Sequence, residues 1–310
     1  VIGKVHYHVL KSQAADIVAL CDVDESVLDK FDGVKKYSDY KKMLDCEDID
    51  VVHICTPHYL HADMVIYALE KGVNVLCEKP LCIKEEDIGR IVDAESKSRA
   101  TLGVCLQNRY NNSSRFVKQL LEGKKVDFAF GNVSWHRDEE YYRTGAWRGK
   151  LETEGGGVMI NQAIHTLDLM QWICGAPKSV CANTYNYSLK GIIEAEDTVI
   201  AMFKGDTDFE FFATNTAKSD LPIEIRFISG GAIITLYPDE VLVNGKVADI
   251  EHCMKGYGKI SYGNGHEKLI KDFYDCVARG EKFWIDAKEG SACVRQVLAA
   301  YRSNGQEVLI

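Results

Sequence analysis

The sequence predicts an α/β protein in two parts. Residues 1–108 form a parallel sheet with helices on both faces, and residues 109–310 form an α/β part with a large, mainly antiparallel open sheet. Two observations predict this. Up to Gln107, short apolar runs (Ile17–Cys21, Val51–Cys55, Val73–Cys77, Thr101–Leu106) alternate with stretches whose apolar residues fall at helical spacing (Ala62–Lys71, Glu85–Lys97). That alternation is the repeat of a βα unit, and its product is a doubly wound parallel sheet. Past Arg109-Tyr110 the pattern becomes β-rich: Val126–Arg137, Val180–Ser188, Thr198–Phe203, Phe209–Thr216, Ile223–Ser229, Ala232–Leu236 and Glu240–Val243. Their spacing is that of an antiparallel meander, with Gly230-Gly231 as a hairpin turn. The helical patterns Glu267–Arg279 and Ala287–Arg302 can cover only part of so broad a sheet. A homodimer or homotetramer through the open face is therefore expected.

Composition narrows the function. The 310 residues carry a net charge of −9, with Lys and Arg dispersed, which argues against a nucleic-acid footprint. No apolar run approaches the roughly 18 residues that span a bilayer, so no membrane role is expected. Eleven cysteines without CxxC or zinc-type spacing give no metal site. Cys21, Cys55, Cys77 and Cys105 lie in apolar segments and read as buried thiols of a cytoplasmic protein.

The first part opens directly into a helical pattern, Val1-Ile2-Gly3-Lys4-Val5-His6. If Gly3 is the last glycine of a G-x-G-x-x-G turn, the first strand and two leading glycines are expected upstream of residue 1. Asp22 then ends the next strand about twenty residues on, placed to accept from a ribose hydroxyl. An acid there repels a 2′-phosphate, so NAD is favoured over NADP; the competing role for Asp22 is a helix cap, which Asp24 or Ser26 could equally serve. After the third run, Thr56-Pro57-His58-Tyr59-Leu60-His61 stops a strand and starts a helix whose free N–H groups suit ribose or phosphate oxygens. His58 and His61 are cofactor candidates or plain loop residues, and Gln107, at the end of the last run, joins the cofactor set.

The run Val73–Cys77 leads into Glu78-Lys79-Pro80. Ligands of open parallel sheets sit beyond the carboxyl ends of the strands, so Lys79 can face bound chemistry there. In the second part, Ala146-Trp147-Arg148-Gly149 precedes Gly155-Gly156-Gly157 and a predicted helix Val158–Trp172. On that helix Asn161, His165, Asp168 and Trp172 recur every three or four residues and share a face. The triple glycine permits close backbone approach to a ligand or the other domain, or acts as a hinge. Trp147 and Arg148, an aromatic face and a bidentate donor, are substrate or cofactor candidates or ordinary loop anchors; Tyr141, Tyr142 and Arg143 are weaker candidates.

In this order, Ile2–His6, the Asp22 strand end, Thr56-Pro57…His61, Glu78-Lys79-Pro80 and Gly155-Gly156-Gly157…His165-Thr166-Leu167-Asp168 resemble the Gfo/Idh/MocA family over nearly the whole chain. The resemblance implies a Rossmann domain binding NAD(P), a second domain with a large open sheet, and a sugar or cyclitol substrate. It implies Lys79 and His165 as catalytic residues, with Asn161, Trp147, Arg148 and Asp168 about the substrate. Gly3, Lys4, Val5, Asp22, Thr56, Pro57, His58, His61, Glu78, Lys79 and Gln107 form the expected cofactor site. Many relatives have Asp at the position of Asn161, and Asn cannot take a proton, so the proton burden falls on Lys79 and His165.

The expected reaction is hydride transfer at a secondary carbinol carbon. Lys79, its pKa lowered by enclosure and a neighbouring positive nicotinamide, exchanges the hydroxyl proton; His165 hydrogen-bonds the reacting oxygen, and Glu78 positions Lys79 or the nicotinamide ribose. Two alternatives share the sequence: glycoside cleavage with NAD recycled, and a non-catalytic dinucleotide-binding regulator.

Overall fold

The computed structural model describes residues 2–13, 15–251 and 265–310. Val1 of the opening motif and Cys253 lie outside them.

The first part is built from parallel βα units. Asn74–Glu78 lies at the centre of a three-stranded sheet between Val51–Ile54 and Leu102–Cys105, in the register Cys77 opposite Ile54 and Val104. Helices Gly265–Arg279 and Ala287–Ser303 bury all of Leu102–Cys105, and Val75, Leu76 and Cys77 are buried beside a helix pair, His61–Glu70 and Glu85–Lys97, whose first member packs on their strand. Glu85, Glu86 and Asp87 in the first turn of the second helix complement its dipole. A separate parallel pair, Ala19–Cys21 with Lys35–Tyr37, is not hydrogen-bonded to these three strands. The Lys35-Lys36-Tyr37 strand is too polar to register as an apolar run. Asp24, not Asp22, caps the short helix Glu25–Leu28.

The second part is one nine-stranded sheet. Its order is Lys246–Val247, Val241–Val243, Ala232–Leu236, Glu224–Ser229, Phe128–Ser134, Asp208–Thr214, Thr198–Lys204, Ser179–Tyr185 and Glu307–Leu309. The expected meander is interrupted. Phe128–Ser134, the first of these strands in sequence, inserts at the centre and runs parallel to Asp208–Thr214. All other neighbours are antiparallel. Gly230 and Gly231 make the anticipated two-residue hairpin, with φ of +55° and +80°, as a type I′ turn requires.

One face of this sheet is covered by helices Asn112–Leu120, Ile164–Cys174 and Ala287–Ser303. The other carries Phe130, Ile200, Phe212 and Ile233, which are 39, 46, 36 and 49% exposed. Alternation along Asp208–Thr214 sets Phe209, Phe211 and Ala213 inward and Phe212 outward. The carboxyl-terminal segment also returns to the first part: Val104 N–H donates to Ile285 O at 2.9 Å, and helix Ala287–Ser303 packs on Glu85–Lys97.

The triple glycine is packed against protein on all sides. A Cβ on Gly155 would lie 2.5 Å from Ile83, one on Gly156 2.1 Å from the Tyr301 hydroxyl, and one on Gly157 1.8 Å from Glu196 O. Gly155 and Gly156 also have φ of +85° and +150°. These are close-approach glycines between domains rather than a free hinge. Beside them the Glu196 carboxylate accepts from Gly157 N–H (2.9 Å), Met159 N–H (3.0 Å) and Tyr301 Oη (3.0 Å). Burial pushes its pKa up to about 7, more than these donors pull it down.

A raised carboxyl pKa means that the folded state holds the proton more tightly than the unfolded one. This contribution to stability is full below the ordinary value of 4.5 and is lost as pH rises through about 7. Glu196→Gln removes that dependence. Thermal melts should show the variant gaining on the parent from the acidic end of this window to the alkaline end; a constant difference would contradict the assignment.

Candidate active site

The site lies where the carboxyl end of Asn74–Glu78 meets the second part. Lys79, half-buried, donates from Nζ to Asn161 O (2.9 Å) and Asn161 Oδ1 (3.4 Å). Burial lowers its pKa and Arg148 lowers it further, against the raising influence of Glu78, Glu154 and Cys105.

The predicted helix Val158–Trp172 is two helices, Val158–Asn161 and Ile164–Cys174. The break arises because Val158 O accepts from both Gln162 N–H (3.1 Å) and Ala163 N–H (2.9 Å), the second spanning one residue more than an α-helical turn. The break parts Asn161 from the face that His165, Asp168 and Trp172 keep on Ile164–Cys174: Asn161 turns to Lys79, His165 meets Gln107, and Asp168, one turn on, meets Arg109 in the core.

Gln107 Nε2 lies 3.2 Å from His165 Nε2. If Gln107 donates, the neutral ring carries its proton on Nδ1. Burial, reinforced by the charge of Lys79, holds the His165 pKa well below the ordinary imidazole value, so His165 is a neutral hydrogen-bonding group. Among the described residues His165 Nδ1 and Gln107 Oε1 are buried without partners. Two orphaned polar atoms beside Lys79 are what a site for a hydroxyl or carboxamide would leave open.

Asp168 is a correction to the expected substrate set. Its Oδ2 and Oδ1 accept from Arg109 Nε (2.8 Å) and Nη2 (2.6 Å), and Oδ1 also accepts from Gln171 Nε2 (3.1 Å). Both oxygens are engaged in the core. Trp172 follows it, with the Arg109 guanidinium 5.6 Å from its ring.

Glu78 also faces inward. Oε1 accepts from His6 Nε2 at 2.9 Å and lies 3.7 Å from His266 Nε2, while Oε2 accepts from Lys79 N–H at 3.3 Å. It therefore supports the Lys79 backbone and is not an open ribose ligand. Burial alone would raise its pKa, but His266 and His6 hold it well below the carboxylate range. Burial alone would lower His6, yet Cys55, Cys105 and Glu78 hold it well above the imidazole range, while burial and the His6 charge hold His53 well below. His6 Nδ1 lies 2.8 Å from His53 Nδ1, and Tyr274 Oη 3.2 Å from His53 Nε2. His6, Glu78, Cys105 and His266 bring potential ligand atoms within 4.8 Å of one another. Since His6 and Glu78 already satisfy each other, the set reads as an ion-pair network.

Among the remaining cofactor candidates, Gly3 and Lys4 are exposed on helix Ile2–Ser12 and Val5 is buried on it; Gly3 packs against Cys55, and a Cβ there would sit 3.6 Å from Cys55 Cβ. Asp22 is half-buried at its strand end, with Oδ1 accepting from Asp24 N–H at 3.0 Å. Thr56 and Pro57 are half-buried at the end of Val51–Ile54. His61 has both ring nitrogens engaged by backbone, whereas His58 has only Nδ1 so engaged. His61 is fully buried with Nδ1 2.7 Å from Pro80 O and Nε2 2.9 Å from Thr56 O, and His58 Nδ1 lies 2.8 Å from Glu154 O. Both side chains tie loops to the strand ends, and His58 keeps Nε2 for a further partner. An exposed helix start, an acid at a strand end and the orphaned Gln107 are the parts a dinucleotide would use in this fold.

Trp147 packs against His58 with the rings tilted by 57° and their centroids 4.8 Å apart, and Arg148 lies over Trp147 and Tyr141 at 4.5 and 4.7 Å. Arg148 Nη1 also donates to Tyr141 Oη at 2.8 Å. Tyr142 is buried against Asn215, and Arg143 is exposed, paired with Glu139. Glu154 was not legible in the sequence. It is 1% exposed, and its carboxylate accepts from Asn161 Nδ2 and Gly149 N–H, with Arg148 Nη1 3.8 Å away.

Residues 1–106 match a family profile described as an oxidoreductase family with an NAD-binding Rossmann fold, and residues 114–230 match the GFO/IDH/MocA C-terminal domain. The D-glucoside 3-dehydrogenase of Escherichia coli K12 is 24% identical, over 98% of this chain and 92% of its own. The inositol 2-dehydrogenase of Salmonella typhimurium LT2 is 26% identical, but the match spans only 56% of this chain and 51% of that relative. The crystal structure of the WlbA dehydrogenase of Bordetella pertussis with NADH and UDP-GlcNAcA superposes with a TM-score of 0.87 at 26% identity, covering 100% of this chain and 94% of that one.

Asp168→Asn tests the structural assignment. Weakening a buried ion pair of this kind costs about 3 kcal/mol, and denaturant unfolding should show a loss of that order; an unchanged midpoint would return Asp168 to the substrate candidates.

Proposed function

This chain belongs to the Gfo/Idh/MocA family of oxidoreductases, and from that premise we propose that it moves a hydride between NAD and a secondary hydroxyl or ketone of a sugar, sugar derivative or cyclitol. The observation that carries the reading is Lys79: an amine at a strand end of the NAD-binding domain, with its pKa lowered and the neutral His165 nearby. The glucoside and inositol dehydrogenases among the relatives, and the sugar nucleotide bound by WlbA, support the substrate class.

The nicotinamide supplies a hydride acceptor or donor when bound. The protein supplies the proton path. In oxidation Lys79 Nζ takes the hydroxyl proton, and in reduction it returns it. His165, held by Gln107, hydrogen-bonds the reacting oxygen and stays neutral throughout. Asn161 receives the Lys79 ammonium on two oxygens, and Trp147 and Arg148 border the substrate. Asp22 favours NAD over NADP because a 2′-phosphate would meet a carboxylate. The described cysteines are all free thiols, in keeping with a reducing cytoplasm. Among the described residues no helix is long and apolar enough to cross a membrane.

The open sheet face is the proposed homodimer or homotetramer interface, since Phe130, Ile200, Phe212 and Ile233 form an apolar surface on one side of it. Light scattering should give a dimer or larger for the parent and a monomer for Ile200→Glu combined with Phe212→Glu; a monomeric parent would refute this interface.

A panel of glucosides, uronic acids and inositols with NAD, followed by NADH absorbance, tests the reaction. Lys79→Met should lose at least about a hundredfold in kcat, the range of a general acid–base group, while remaining folded. Full turnover in that variant would remove Lys79 from the mechanism.

A further inference from the structure

A carboxylate with no part in the reaction above lies on the far side of Asn161 from Lys79. Glu154 is 1% exposed, and a carboxylate so buried is retained only where partners offset its desolvation. Two of its partners, Asn161 and Arg148, also act on Lys79. Gly149 N–H fixes one oxygen, Asn161 Nδ2 donates to the other, and Arg148 Nη1 stands 3.8 Å away. An asparagine amide can present either its oxygen or its NH2 group to a neighbour. With Nδ2 held by Glu154, Asn161 must present Oδ1 to Lys79, where it stands 3.4 Å from Nζ beside the Asn161 carbonyl at 2.9 Å.

We propose that Glu154 is a positioning residue for proton transfer at Lys79, acting by orienting Asn161 and by placing a buried negative charge behind it. The proposal rests on the oxidoreductase reading for its catalytic meaning, but the coupling between Glu154 and Lys79 is measurable without turnover. In the oxidation direction the substrate O–H bond breaks, an N–H bond forms on Lys79, and the resulting ammonium is held by Asn161 O and Oδ1. Burial raises the Glu154 pKa more than the Gly149 N–H, Asn161, Arg148 and Lys79 lower it; in its ionised form Glu154 stabilises that ammonium and takes no proton in the step.

The charged groups facing Lys79 give the sign. Glu78, Glu154 and Cys105 favour its ammonium form, and Arg148 opposes it; His165 and His58 are neutral beside it. Removing the Glu154 charge should make the lysine a weaker base, and removing the Arg148 charge should do the reverse.

The test is the pH dependence of acetylation of Lys79 by acetic anhydride in the intact protein, read by peptide mass spectrometry. Glu154→Gln should lower the Lys79 midpoint by about half a pH unit or more, about threefold in the amine-to-ammonium ratio at fixed pH. Arg148→Gln should raise it, and Glu154→Asp, which keeps the charge, should fall between the parent and the Gln variant. Opposite shifts cannot come from general loosening. A midpoint unchanged in Glu154→Gln, or both neutralising variants shifting in one direction, would overturn the proposal. The same proteins assayed with NAD and the polyol panel separate the two claims. Shifted midpoints without turnover in the parent would retain the coupling and sink the oxidoreductase reading, whereas turnover with unmoved midpoints would sink the coupling alone.

Discussion

Arg109 ties together three segments that no local pattern joins. Its side chain is fully buried, forks onto Asp168, reaches Glu289 at 2.6 Å, and packs against the neighbouring rings of Trp172 and Trp284 at 5.6 and 5.4 Å. A guanidinium cannot shed its charge in a protein, so a dry site must supply partners wherever it sits. The turn Gln107–Tyr110, helix Ile164–Cys174 and helix Ala287–Ser303 are therefore fixed with respect to one another. Gln107 lies two residues before Arg109, and His165 lies one turn before Asp168. The fork that anchors the domains thus also sets His165 against Gln107.

Around Lys79 the same economy of partners decides the chemistry. Two carboxylates approach it, one from each domain. Glu78 is neutralised from below by His6, and Glu154 is held by Asn161 and a backbone N–H. Neither forms a direct ion pair with the Lys79 amine among the described contacts. The lysine is left with a partly desolvated ammonium, two neutral oxygens and neighbouring charges that tune it. The triple glycine makes this arrangement possible, because any side chain at 155–157 would push Ile83, Tyr301 or Glu196 away and carry Asn161 with it.

Much of this was legible in the sequence, for physical reasons that also explain what was not. The apolar runs of the first part are strands buried on both faces, so composition alone exposes them; the polar Lys35–Tyr37 strand, on an edge, has no such signature. The β-rich second half was readable as one sheet. The insertion of Phe128–Ser134 at its centre was not, since pairing partners depend on the path of the chain between strands. Asn161 and His165 were recognisable by spacing, but that spacing assumed one regular helix, and the extra residue spanned at Val158 parts Asn161 from His165; Asp168 goes to the core because Arg109 meets it there, a partner that no local pattern shows. His6, Glu154 and His266 reach the site only through tertiary packing. For Glu154, the signal was an acid immediately before three glycines, a place where packing leaves no room for water.

The central claim is that the Lys79–His165 site performs redox chemistry at a carbon of the substrate. Its most direct test follows the hydrogen on that carbon, using glucosides and inositols deuterated at each ring position with the parent protein and NAD. The account predicts deuterium on the nicotinamide of released NADH from one ring position only, and none with Lys79→Met. Binding of NAD and polyol with no deuterium transfer from any position would contradict it.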